Sequence, residues 1–156
     1  MAQGTLSLFN EFAESIADGR IDLDTHTFKA ALTSTVPADT DAIPTWGAGG
    51  TTNESSNEVT PGGGYTAGGI SLTGVTWVQT SGVGKFDSSL DVTWTSAASG
   101  DPTNIKSLIL YSDTATNKDC IGWMDMTADG GTTAISLLSG NITVTWNASG
   151  IFTLTV

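Results

Sequence analysis

The residues with the chemistry to catalyse or to hold a metal are few and far apart. Cys120 and His26 are each the sole residue of their type. A structural zinc site takes about four Cys or His ligands and an intramolecular disulfide takes a second Cys, so neither is expected within one chain. Asp22 and Asp24 stand in a short alternating stretch at 20–24, where a strand would carry both carboxylates on one face, as paired catalytic acids require. No third group accompanies them, and they read as solvated surface carboxylates. Asp39 and Asp41 offer oxygens of the kind calcium takes, but the spaced loop with its closing Glu is missing. The glycines at 62–64 and 68–69 form no phosphate loop, since no Gly-Lys-Ser/Thr follows and no helix begins there. No cofactor and no metal are expected. With no legible nucleophile and base, the chain does not read as an enzyme.

Charge narrows the partners. Sixteen acidic residues face five cations, Arg20, Lys29, Lys85, Lys106 and Lys118, for a formal net charge of -11. The cations are scattered singly, so no basic stripe exists to neutralise phosphates and no nucleic-acid partner is expected. No apolar run approaches about 20 residues, and no basic segment followed by an apolar one opens the chain. Neither a membrane partner nor an export signal is expected, and synthesis is placed in the cytoplasm.

The elements that must position these residues are short. Only 13% of the chain is charged, and Ser, Thr and Gly dominate its polar part, a balance suited to a single all-β domain over residues 1–156. Leu6, Phe9, Phe12, Ala13, Ile16 and Ala17 recur at spacings of three and four, which predicts one helix within 1–19, capped by Thr5 or Ser7 and ended at Gly19. Period-two runs predict strands at 27–34, 65–72, 75–80, 83–86, 90–95, 104–111, 121–126 and 132–138. The run NIKSLILY at 104–111 is the most apolar and is expected at a sheet centre. At the C-terminal end, NITVTW and IFTLTV flank Asn147 to Gly150, which predicts an antiparallel hairpin with Trp146 and Phe152 in the core. The fold class is therefore mainly β, an antiparallel β-sandwich or jelly-roll-like domain with one short N-terminal helix.

Residues 35–64 carry three of the four prolines and no periodicity, so they are expected to be mostly loop, and loops this long tend to be functional or disordered. Trp46, between Pro44 and Gly47, either tucks over the core or anchors a partner. Within this stretch Ile43, Pro44, Trp46, Thr51 and Asn53 are the expected partner-contacting residues.

Four blocks, SLFNEFAESIADGRIDLDTHTFKAAL, NEVTPGGGYTAGGISL followed by VTW, the strand ending in LILYSD, and the closing WNASGIFTL, together resemble a group of small virion proteins of tailed bacteriophages. They run over nearly the whole chain, and their order carries the likeness. The resemblance implies a non-enzymatic capsid cement or decoration protein that binds the major capsid protein. It also implies a homo-oligomer, commonly a trimer, seated on the virion where shell subunits meet after synthesis in the host cytoplasm. The chain departs from the pattern around 43–56 and at the Gly-Gly near Asp129, so contact residues do not transfer. Two other readings are a tail or fibre component that touches a receptor, and a carbohydrate-binding β-domain stacking sugars on Trp46, Trp77, Trp94, Trp123 or Trp146. Trp77, Trp94 and Trp146 alternate with Thr or Val as core or sheet-face residues do, which weighs against the last.

Overall fold

A computed structural model describes residues 4–155. At its centre is the run SLILYS, strand β9 (Ser107–Ser112), in which every residue is buried. Alternation sends Leu108 and Leu110 to one face and Ile109 and Tyr111 to the other, and both faces are covered. Around it an antiparallel sheet runs in the order β1 (Leu6–Leu8), β10 (Cys120–Asp125), β9, β2 (Phe28–Thr33) and β5 (Ile70–Ser71). The expected sheet-centre position of this run is what the structure shows.

The main core lies against one face of this sheet. Two smaller antiparallel sheets close it: β12 (Phe152–Thr155), β7 (Val83–Ser88) and β6 (Val75–Thr80) in one, β11 (Ile142–Val144) and β8 (Val92–Trp94) in the other. Phe28, Leu108 and Ile121 from the large sheet meet Phe86, Val92, Trp94 and Val144 from the small ones. The result is a mainly β, sandwich-like fold with a single short α-helix among the described residues.

Residues 1–3 of the expected 1–19 lie outside the described residues, and within 4–19 the helix is only α1 (Phe12–Ala17). Leu6 and Leu8 also fit a period of two, and tertiary pairing decides for it: Leu6, Ser7 and Leu8 stand opposite Met124, Trp123 and Gly122. Gly122 admits this approach, since a Cβ there would strike the Ser7 carbonyl. Neither Thr5 nor Ser7 caps the helix; Glu11 occupies the cap position without a side-chain bond. The expected stop is correct. Gly19 is left-handed at φ +71, its N–H donates to Ile16 O at 3.0 Å and Arg20 N–H to Ser15 O at 2.9 Å, the paired bonds of a Schellman end.

Four further expectations are corrected. The terminal hairpin does not exist as a pair: β11 pairs with β8 and β12 with β7, because the connection at 147–150 carries the chain from one small sheet to the other. The stretch 20–24 is no strand; Asp22 Oδ1 accepts from the N–H groups of Asp24 and Thr25 and makes a turn. Of 65–72 only Ile70–Ser71 is strand, since Gly68 and Gly69 are both left-handed and break the run. Of 132–138 only a bridge between Ile135 and Ile105 and a 3-10 turn at Leu137–Ser139 remain. Trp146 is buried in the main core as expected, and Phe152 packs against it half-buried.

Candidate interaction surface

Most of the stretch 35–64 folds down as a third layer on the outer face of the large sheet, while its end runs along the edge of β2, where Glu58 bridges Thr33 and Val59 enters the main core. Short parallel strands β3 (Pro44–Thr45) and β4 (Thr52–Asn53) and a 3-10 turn at Glu54–Asn57 give it structure that prolines and glycines hid. Its anchors are spread along its length. Asn10 N–H donates to Asp39 O at 2.9 Å, Trp46 N–H to Lys118 O at 2.8 Å and Val59 N–H to Leu32 O at 3.1 Å. The Trp123 indole N–H donates to Asp39 Oδ1 at 2.7 Å, and the Ser107 hydroxyl to Thr35 O at 2.7 Å. Beneath the layer Trp46, Phe9, Ala31, Ile109, Tyr111 and Cys120 form a second core.

The five expected contact residues divide. Pro44 and Trp46 are buried, and Trp46 stacks on Tyr111, so its ring serves the fold of this chain. Asn53 is half-buried and caps the 3-10 turn, its Oδ1 accepting from Ser55 N–H at 3.1 Å and the Ser55 hydroxyl at 2.7 Å. Ile43 and Thr51 are exposed and adjacent, with Thr51 N–H donating to Ile43 O at 3.2 Å. Ile43 has φ +41 and is 38% exposed, a left-handed backbone at a β-branched residue and therefore a true outlier. Gly50 makes room for it, because a Cβ there would meet the Ile43 carbonyl and the Thr45 methyl.

Two groups in this layer left no trace in the sequence. Glu54 is 2% exposed and its Oε1 has no hydrogen-bond partner. Burial, with the charge of Asp41 adding to it, pushes its carboxyl up to about 7. Glu58 Oε1 accepts from the Tyr65 hydroxyl at 2.8 Å and from Gly68 N–H at 2.6 Å, while the Tyr111 hydroxyl donates to Gly68 O at 2.8 Å. Burial drives both tyrosine hydroxyls upward in pKa. An isolated Glu in a polar run carries no periodic signal of burial. What the sequence does contain is Asn53 two residues before Ser55, the spacing by which it caps the turn that carries Glu54.

Chemically the layer is quiet. Burial, then the charges of Glu54 and Asp119, hold the Cys120 thiol well above its ordinary range, which disfavours the reactive thiolate. His26 Nδ1 lies 2.9 Å from the Ser112 hydroxyl and accepts from Asp22 N–H at 3.3 Å. Ser112 is fully buried and also accepts from Ala115 N–H, so this contact fastens the 22–26 turn to the end of β9. Asp39 and Asp41 are separately engaged, Asp41 Oδ2 accepting from Ala38 N–H at 2.9 Å. Among the described residues no three His, Cys, Asp or Glu side chains converge as a metal site would need, and no helix is long and apolar enough to cross a membrane. Arg20, Lys29, Lys85 and Lys118 are all held in ion pairs, with Asp119, Asp113, Asp87 and Asp113 respectively. The surface field is accordingly acidic and short of free cations.

The chain matches no family model, no curated protein and no solved structure.

Proposed function

We propose that this chain is a non-enzymatic structural protein of a tailed-bacteriophage virion, a cement or decoration protein that binds the capsid shell and stabilises it. The observation that carries the reading is the conformation of Ile43. A strained backbone persists where its surroundings hold it, and strain of this kind clusters at functional sites. Here it turns an apolar side chain outward on the rim of a layer whose inner side is fixed by Trp46 and Asn53. A rim already folded loses little order on docking. Modest contact per copy then suffices on a repeating shell where many copies act together. The order of the sequence blocks supports the same reading. With four of its five cations held in internal ion pairs, the protein binds through shape rather than charge, so binding changes little between low and moderate salt.

The test is the protein's copy number in purified virions of the phage that encodes it, paired with binding of the recombinant chain to emptied capsids. A copy number comparable to the shell subunit, with binding lost in Ile43→Asp and Thr51→Arg while both variants keep the wild-type circular dichroism and melting curve, is the expected result. A handful of copies per particle moves the protein to a tail tip or fibre. Absence from the particle overturns the reading.

A further inference from the structure

The three sheets leave three backbone edges unpaired beside one another. Among the described residues β1 ends the large sheet, β11 pairs only with β8, and β12 pairs only with β7. A cleft of about 600 Å³ opens beside them, with Leu6 and, opposite it on β10, Met124 on the wall made by the large sheet, Val144 and Trp146 on the second, and Ile151 and Thr153 on the third. No residue of β7 or β8 lines it, so it faces the sides of β11 and β12 that have no partner strand. A second hollow of about 390 Å³, lined by Ile142 and Thr143, continues it along the same edge of β11. An unpaired edge offers a row of N–H and C=O groups that another strand can take up.

The neutral lining and the free backbone edge describe what fits. Neither hollow is lined by any Asp, Glu, Lys, Arg or His, in a chain of sixteen acidic residues and net charge -11. A neutral strip on so acidic a protein selects a neutral occupant, since a buried unpaired charge would be costly on either side. The indole Nε1 of Trp146, a residue only 9% exposed, has no acceptor in the fold. The indole Nε1 of Trp94, 1% exposed, is unpartnered in the same way deep in the core, so it is the free backbone edge of β11 and not the indole that an added strand would pair with. Leu6, Met124, Val144 and Ile151 supply apolar seats for the alternate side chains of such a strand. A second copy is the poorer occupant, because it would bring the same net charge of -11 and, among the described residues, only one cation, Lys106, outside an internal ion pair.

We infer that this cleft is a strand-addition site that takes an extended, uncharged segment of a partner polypeptide along the free edge of β11. The site is separate from the Ile43 rim and stands or falls independently of it.

A displayed library of short random peptides, selected on the purified full-length chain, tests this. Enriched peptides are expected to be uncharged and rich in β-branched residues, and to shift backbone amide resonances of residues 4–6 and 142–153. Thr145→Glu and Thr5→Glu each place a charge on an exposed cleft wall and are expected to weaken binding by about tenfold or more. Thr80→Glu, exposed on β6 away from the cleft, leaves binding unchanged. Because the two cleft variants stand on opposite walls, failure of one to fold leaves the other to decide. Absence of enrichment overturns the proposal, as does equal binding to every folded variant. Concentration-dependent self-association abolished by Thr145→Glu overturns it in favour of a second copy, and resonance shifts there with neutral oligosaccharides but not with peptides overturn it in favour of a sugar site.

Discussion

The indole of Trp46 lies flat on the ring of Tyr111, with centroids 5.0 Å apart and planes 12° apart. This stack joins the 35–64 layer to the outer face of the central strand. Tyr111 extends the joint, since its hydroxyl reaches Gly68.

Trp46→Ala should therefore lower stability by about 3–5 kcal/mol, the usual range for removing a buried aromatic, while Trp46→Phe costs less because part of the stack survives. Urea unfolding checks the first statement. Limited proteolysis checks its locus, as new cleavage should fall between residues 36 and 58 before any in the large sheet. A melt unchanged in Trp46→Ala would show that the stack contributes nothing.

Glu54 makes stability depend on pH in an unusual direction for a carboxylate. Its carboxyl titrates at an ordinary 4.5 when unfolded and at about 7 in the fold. Below 4.5 both states hold the proton and there is no penalty. Between 4.5 and 7 the unfolded chain releases the proton first, so stability falls as pH rises, and above 7 the full loss of about 3 kcal/mol is in place. Glu54→Gln should flatten this slope and raise the midpoint at pH 8. Melting curves for both proteins from pH 5 to 8 decide it; parallel slopes would place Glu54 in contact with water or a cation.

Gly50→Ala should destabilise the rim by about 1–3 kcal/mol, because the added methyl meets the Ile43 carbonyl and overpacking costs of that order are usual. Amide exchange is expected to rise at 42–53 and stay unchanged in β9. Uniformly faster exchange would mean that the layer and the sheet unfold together.

Phe152 bridges two elements: its ring is 4.9 Å from Phe86 in a stack and 5.4 Å from Phe12 edge-on. A double-mutant cycle of Phe12→Leu with Phe152→Leu should give a coupling of about 0.5–1.5 kcal/mol. Strict additivity would separate the helix from the small sheet energetically.

How much of this was legible depended on whether local pattern and tertiary pairing agreed. They agreed at 107–112, where a continuous apolar run can only be satisfied by burial on both faces, and at Gly19, whose φ only a residue without Cβ takes cheaply. They conflicted at Leu6 and Leu8, which fit two periods, and the pairing with β10 chose between them. At 141–156 the two strands were legible but their partners were not, because a short turn between alternating runs reads alike whether the strands pair or part. The rim at Ile43 was found as loop composition, yet its conformation depends on Gly50 and Thr51 closing back on it. Glu54 was invisible because burial of a lone charge is a property of the layer above it.

The division of β11 and β12 between two sheets bears on how fast the protein can reach its native state. Most of the pairings join strands far apart in sequence: β1 with β10, β2 with β9, β8 with β11, β7 with β12. Among the described residues the local antiparallel pairs are β6 with β7 and β9 with β10, and β3 with β4 is a short parallel one. Large loops must close before these contacts reward closure, which places folding in the slow range of all-β domains, about milliseconds to seconds. Until β12 docks, β7 and the ring of Phe86 stand open, and the uncharged strand β6 is the segment on which such an intermediate would first aggregate.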